Sequence, residues 1–293
     1  MVGELVRAQR LPVNPIIRPD QDARIGGNIN GPSLIRVPDW VPNRLGRYYL
    51  YFAHHQGTFI RLAYADELAG PWKVYSPGVL DLADSYFSEH LASPDIHIDN
   101  ERRVMRMYYH GCCLPEPPHQ FTRVALSTDG VHFTAREEIL GVSYWRGFVW
   151  RGWHYGLAMP GILYRSRDPL GGYEQGPTLF TPEMRHSAVQ LVGDTLRVFY
   201  TNAGDCPERI FVSEIALGDD WLAWTATPPV TLLAPELEYE GVNRPLVPSE
   251  RGSIHEPAHQ LRDPCIFEED GRTWLLYAVA GEHGIAIAEL VSG

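Results

Sequence analysis

Short apolar runs broken by glycine- and aspartate-containing turns recur along the whole chain. In the stretch from Leu261 to Leu290, three such runs (Cys265 to Phe267, Trp274 to Val279, Ile285 to Leu290) are split by Glu269-Asp270-Gly271 and by Gly281-Glu282-His283-Gly284. Runs of this length bounded by turn residues predict a three-strand antiparallel meander. The second run has upstream counterparts in Tyr48-Tyr49-Leu50-Tyr51-Phe52, in Val104 to Tyr109 and in Leu196 to Tyr200. A third run repeats as Leu62 to Asp66, Val124 to Asp129 and Ile162 to Asp168. Each of these is followed by glycine and an aromatic: Gly70-Pro71-Trp72, Gly130-Val131-His132-Phe133 and Gly171-Gly172-Tyr173. A four-strand unit repeated at roughly 45–50 residues predicts the blades of a β-propeller. First strands near Ser33, Asp95, Phe148, Ala188 and Cys265 make five of them.

The fifth unit ends after its third strand, and a ring cannot close over an unpaired edge. The segment Leu11-Pro12-Val13-Asn14-Pro15-Ile16-Ile17 is expected to supply the missing strand. The expectation is therefore an all-β, five-bladed propeller over residues 1–293 as one domain, its ring closed by an N-terminal strand completing the last blade. Within it, 18–31 form a polar lead-in loop, and the Pro-rich Cys112 to Gln120 is expected to be a rim loop outside any ladder. Trp150-Arg151-Gly152-Trp153 is the shortest hairpin. The stretch Ala234 to Gln260, with Glu236, Glu238, Glu240, Glu250 and Glu256, is the longest without strand periodicity and is expected to be partly ordered.

Composition narrows the function classes. The 24 prolines and 27 glycines suit many short strands joined by turns. A net charge of −11 argues against nucleic acid as a partner, because phosphate neutralisation needs a basic face. No apolar run is long enough to span a membrane, and the first residues lack the apolar core of a signal peptide. The four cysteines, Cys112, Cys113, Cys206 and Cys265, have neither zinc-site nor disulfide-framework spacing. A cytoplasmic location is the expectation.

In a propeller, residues at the starts of the inner strands converge on the mouth of the central channel. Here these are Asn30 and Gly31; His90, Ser93 and Asp95; Tyr144 and Arg146; Arg185 and His186; and Arg262 with Asp263. Carboxylates, imidazoles, guanidinium groups and an aromatic in one funnel describe a polar pocket. Each also has a structural reading: Asp263 beside Arg262 as an ion pair, Asp95 as a turn cap, Glu240 as a solvated loop residue. Trp145, Trp150 and Trp153 read either as inter-blade core or as a sugar-stacking face.

These residues carry a resemblance. Ser93-Pro94-Asp95-Ile96 resembles the alanine-proline-aspartate motif of glycoside hydrolase family 43, and Arg262-Asp263-Pro264 resembles the arginine-aspartate-proline of the related fructosidase families. Ala63-Tyr64-Ala65-Asp66 with Gly70-Pro71-Trp72 is similar to the third and fourth strands of these five-bladed families, family 117 included. The resemblance implies cleavage of a glycosidic bond by two carboxyl groups, one protonated and one ionised, with a third tuning the acid. It gives Asp95 the tuning role. The family's base aspartate falls at Gly31, however, and its acid glutamate falls in Arg185-His186-Ser187.

The catalytic candidates are therefore Asp95, Asp263 and Glu240, with Glu89 or a histidine (His186, His90 or His55) as further proton donors. Asn30, His54, His55, His90, Arg146, His186 and Arg262 are the candidates for holding substrate. The expected partner is a small carbohydrate cleaved at its end. No cofactor is expected to be required, and calcium is a candidate ion for the channel. A phosphorylase with Arg146, Arg185 and Arg262 holding phosphate, and a non-catalytic sugar-binding propeller, are the alternatives.

Overall fold

The computed structural model describes residues 6–113 and 119–292, and in it five antiparallel sheets form a ring. Blade one runs from an inner strand Asn30–Arg36 through Tyr48–Ala53 and Phe59–Ala65 to an outer strand Lys73–Asp81. Blade two contains Leu91–Asp99, Val104–Cys113 and His119–Ser127, with two short outer pieces, Thr134–Ala135 and Gly141–Val142. Blade three is Arg146–Trp150, Trp153–Ala158, Ile162–Ser166 and Glu174–Thr178. Blade four is Met184–Val192, Thr195–Asn202, Ile210–Ala216 and Val230–Leu233. Blade five is Arg262–Glu269, Arg272–Ala278 and Ile285–Ser292, completed by Val6–Arg10.

Most inner and second strands are apolar on both faces because each blade is packed on both sides. Along Tyr48–Ala53, Tyr48, Leu50 and Phe52 join the core shared with blade five, whereas Tyr49 and Tyr51 join the core shared with blade two. The period of two thus feeds two neighbours instead of separating core from solvent. The other three junctions have their own clusters, centred on Trp145 between blades two and three, Tyr155 and Trp224 between three and four, and Phe199 and Tyr277 between four and five. Trp145 and Trp150 are buried in these junctions.

Ring closure occurs as expected, with a shifted segment. The ladder runs from Val6↔Ser292 to Arg10↔Ala288, just upstream of the expected Leu11 to Ile17. Pro12 and Pro15 offer no N–H to a ladder. The Asn14 side chain substitutes there: its Nδ2 donates to Ile287 O at 2.8 Å and its Oδ1 accepts from Ile287 N at 2.9 Å. The edge resumes where Ile16 N donates to Ile285 O at 2.8 Å.

A second correction concerns Cys112 to Gln120. Its ends belong to the ladder, with Cys112 opposite Gln120 and Cys113 opposite His119; 114–118 lie outside the described residues. The shortest hairpin turns on Arg151 and Gly152, both at positive φ (48° and 71°), as a two-residue turn of the twist-matching type requires. The stretch 234–260 is irregular apart from a single short turn, Glu238–Glu240. Among the described residues no helix is long and apolar enough to cross a membrane.

Candidate active site at the channel mouth

One residue at the start of each inner strand adopts the left-handed conformation: Gly31 (φ 58°), Ser93 (49°), Tyr144 (56°), His186 (48°) and Asp263 (49°). In blades one, two, four and five the pairing with the second strand slips at this point. The slip is a bulge, and it re-aims the side chain. Four of the five residues are not glycine, so each bears a conformational cost of about 1–3 kcal/mol. Ser93, Tyr144, His186 and Asp263 all line one cavity of about 410 Å³, together with Asn30, His55, His110, Arg185 and Arg251. Four left-handed residues with side chains, one from each of blades two to five, thus surround a single polar space.

Asp263 is the carboxyl on the cavity wall among the described residues. Its Oδ1 accepts a hydrogen bond from the Tyr144 hydroxyl at 2.9 Å, while its Oδ2 is buried without a partner. Burial, reinforced by the charge of Glu282, pushes its pKa up to about 6 against the opposing pull of Tyr144. His186 stands with Nε2 3.9 Å from Asp263 Oδ1 and its ring against Tyr144, at 5.2 Å between centroids. Burial, with Arg185 and Arg262 nearby, holds that imidazole well below its usual pKa and therefore neutral. His110 is held down by burial and by His90 in the same way.

A buried ion network adjoins the cavity through Arg185 and His55. Arg185 donates to Glu208 through Nε at 3.0 Å and through Nη2, and Thr201 Oγ1 donates to the same carboxylate at 2.7 Å. Arg262 reaches Glu208 at 3.3 Å and donates to Glu282 at 2.9 Å and to Gln260 at 2.7 Å. Glu282 also lies 3.1 Å from His55 Nδ1 and accepts from Asn28 Nδ2 at 2.5 Å. Burial opposes ionisation of Glu282, but His55, Arg262 and Asn28 together outweigh it and hold its pKa at about 2. Two arginines offset two glutamates, which is what makes four ionic groups tolerable in the interior.

The expected site residues fall into three groups. Asp263, Asn30, His55 and His186 line the cavity. Arg262 is part of the ion network, and Arg146 lies behind Tyr144. Asp95 does not line the cavity: its Oδ2 accepts from Gly147 N at 2.8 Å and sits 2.8 Å from His97 Nε2, tying blade two to blade three. Its connection to the site is indirect. Asp95 Oδ1 is 3.9 Å from Arg146 Nη1, Arg146 Nη2 donates to the Tyr144 hydroxyl at 3.1 Å, and that hydroxyl donates to Asp263. Simple alternation puts Ser93 and Asp95 on one face; the left-handed Ser93 breaks the phase.

Glu240 is also outside the cavity. It is buried against the ring closure, where its oxygens accept from Arg10 Nε (2.7 Å) and Nη2 (3.0 Å), Glu236 N (2.8 Å), Leu237 N (3.1 Å) and the Tyr277 hydroxyl (3.0 Å). A carboxylate saturated by five donors has no oxygen left for a substrate. His54 is half-buried and caps its own turn by accepting from Gln56 N at 3.0 Å, while His90 and Glu89 are not among the residues that line the cavity. Trp153 stacks under Arg165 and Arg167 on the outside, away from any sugar site at the mouth.

The arginines expected for phosphate are already engaged. Arg146 donates to the carbonyls of Ser187 and Pro94 as well as to Tyr144, and Arg185 and Arg262 are paired with Glu208 and Glu282. For calcium the donor set is poor. The ion takes six to eight oxygens, whereas His55, His110 and His186 present nitrogens and the two network glutamates are committed to arginines.

Sequence reasoning does not reach Glu208, Glu282 or His110, and places Asn28 only in the polar lead-in loop. For His110 a signal existed. The ladders place Ala53, His110, Thr201 and Ala278 at equivalent positions, and an imidazole among small residues is out of pattern. Glu282 was concealed in a turn.

The comparisons agree with this architecture. No known protein-family model matches the chain. The ring superposes on CoXyl43, a family 43 β-xylosidase/α-arabinofuranosidase from a compost microbial metagenome solved with xylotriose in a calcium-free form. That match has a TM-score of 0.61 at 14% identity and covers 98% of this chain and 95% of that one. It also superposes on a family 43_1 enzyme of Xanthomonas citri solved with xylose, with a TM-score of 0.61 at 11% identity over 99% and 91% of the two chains. Both likenesses establish the shared five-bladed fold. In sequence the chain is 36% identical to uncharacterized protein R118 of Acanthamoeba polyphaga mimivirus, covering 98% of this chain and 91% of the relative. This propeller therefore belongs to the same family as the mimivirus protein R118.

Proposed function

We propose that this protein is a glycoside hydrolase that admits the end of a small saccharide into the channel-mouth cavity and protonates the leaving oxygen from Asp263. The observation that carries the reading is Asp263 itself: a cavity-wall carboxyl with a pKa near 6, one oxygen fixed by Tyr144 and the other free. A general acid needs a pKa close to working pH and an oxygen not already committed to a partner. His55 fits the complementary role. Its Nδ1 is held by the ionised Glu282, which leaves Nε2 to take a proton from the attacking water. A carboxyl that keeps its proton and an imidazole oriented by a carboxylate can serve as the acid and the base of one reaction.

Asn30, His110 and the neutral His186 are the groups available to hold sugar hydroxyls, and Asp95 acts at a distance by holding Arg146 behind Tyr144. The cavity volume lies in the small-molecule range of about 300–1,000 Å³. Arg185 and His55 bring the ion network into its wall, and a cavity of this size favours binding a chain end over threading a polymer. Family 43 structures of the same fold hold xylotriose and xylose, so pentosides are the first substrates to try.

The test is an assay of purified protein on aryl xylosides, arabinofuranosides and hexosides, with and without inorganic phosphate. Free sugar released without phosphate, and lost in Asp263→Asn and His55→Gln, supports the reading. Phosphate-dependent release of a sugar 1-phosphate replaces hydrolysis with phosphorolysis, and sugar binding in calorimetry without turnover removes the enzymatic reading.

A further inference from the structure

At the start of blade two, three side chains of different chemistry meet. Glu89 and His90 come from the loop before the inner strand, and Cys112 from the second strand. One ligand atom from each, a carboxylate oxygen, an imidazole nitrogen and the thiol sulfur, lies within 4.8 Å of the others. His90 and Cys112 are buried, and Glu89 reaches solvent. We propose that Glu89, His90 and Cys112 form a binding site for a zinc-class divalent transition metal, separate from the channel.

Three features of the site support this. The first is the donor set. Sulfur, nitrogen and one carboxylate oxygen suit zinc or cobalt and do not suit calcium or magnesium, which prefer all-oxygen shells. Tetrahedral ligands around zinc stand about 3.3–3.8 Å apart, given metal–ligand lengths of about 2.0–2.3 Å. The three ligand atoms lie within 4.8 Å of one another, so side-chain rotation can bring them to that spacing.

The second is an unmet hydrogen-bonding need. His90 Nε2 is buried with no partner, although His90 is only 8% exposed. A buried polar atom left unpaired costs about 1–3 kcal/mol, so the orphaned nitrogen of an imidazole that meets a thiol and a carboxylate calls for an explanation. A bound cation supplies one.

The third is preorganisation. Ser88 clamps the loop to the strand, donating to the carbonyl of Cys112 from its backbone N at 3.0 Å and from its hydroxyl at 3.2 Å. Gly111 makes room for the loop: a Cβ there would lie 2.2 Å from the His90 carbonyl oxygen and 2.6 Å from the Phe87 ring. The neighbouring thiol has a different environment, since Cys113 lies 3.6 Å from Arg123 Nη2, a cationic partner that disfavours a metal.

Three protein ligands leave a fourth position for water. The His90 ring packs edge-on against His110, at 6.0 Å between centroids, and His110 lines the cavity. A metal here would stiffen the wall of the active site without touching the reacting atoms.

The experiment is titration of the purified full-length protein with cobalt(II) and zinc, read by thiolate-to-cobalt charge-transfer absorbance, by bound metal per chain after gel filtration, and by Tm. One metal per chain, a charge-transfer band and a zinc-dependent rise in Tm are expected. Cys112→Ser should abolish the band, and Cys113→Ser should retain it. Glu89→Gln, at an exposed position that does not threaten folding, should keep the band while weakening affinity by about tenfold or more, at least the cost seen for outer-shell partners elsewhere. Absence of stoichiometric metal, a band that survives Cys112→Ser, or a band lost in Cys113→Ser overturns the assignment.

Discussion

Asp263 and Glu240 are both buried carboxyl groups fastened by a tyrosine hydroxyl, yet their surroundings differ in kind. Glu240 has five donors and a guanidinium partner, and every oxygen is satisfied. Asp263 has one donor, an unpaired oxygen and a pKa pushed up to about 6. The difference separates a carboxylate that holds the fold together from one kept in reserve for chemistry. Burial alone does not tell them apart; the count of satisfied lone pairs does.

The largest effect expected from this contrast is catalytic. Asp263→Asn should lower kcat on a cleaved aryl glycoside by about 10²–10⁴-fold with the fold retained by circular dichroism. Equal turnover by variant and parent would deny Asp263 its role. Glu240→Gln should do the converse. Weakening the buried pair with Arg10 is expected to cost about 3–5 kcal/mol in denaturant unfolding, while kcat per folded molecule stays at the parent value. A large fall in kcat in a folded Glu240→Gln protein would erase the distinction between the two carboxylates.

The same contrast has a pH signature. Asp263 is raised from 3.8 to about 6, so the native state holds its proton over a window in which the unfolded chain has lost it. Stability from this group is present below about pH 4 and declines as pH rises through 6. Asp263→Asn should accordingly be more stable than the parent at pH 8, by on the order of 2–3 kcal/mol, with the gap closing by pH 4. The rate kcat/KM should fall above about pH 6 as the acid loses its proton. A stability gap that is flat with pH would mean that Asp263 is not ionising inside the protein.

The smallest effect concerns the ring of left-handed residues. Gly31 is the one member without a side chain, and a Cβ there would meet the Ser93 backbone at 3.0 Å. Gly31→Ala should cost about 1–2 kcal/mol in thermal unfolding. A neutral result would show that the ring tolerates crowding and that its strain carries no meaning.

Much of the architecture was legible because a propeller repeats its grammar. Tyr48 to Phe52 and Trp274 to Tyr277 announce second strands, and the aspartate-glycine-aromatic turns mark the outer ones. The closing strand was misplaced by a few residues because Asn14 imitates a backbone between two prolines, which no propensity rule anticipates. The site was legible only in part. Asp263 could be found from its place before Pro264. Asp95 could not be oriented, because a single left-handed residue at Ser93 reverses the phase of everything after it. Glu208 and Glu282 acquire their role from arginines on other strands, a relationship that exists only once the ring is closed.

That closure also bears on how the molecule is made. Val6–Arg10 meets Ala288–Ser292 across about 280 residues of sequence, so a nascent chain holds this strand unpaired until residues 288–292 have been made. Contacts this distant in sequence form slowly, and during synthesis blades one and four each present an uncovered apolar flank. Any translation product that stops short of blade five lacks Asp263, and with it the carboxyl of the cavity wall.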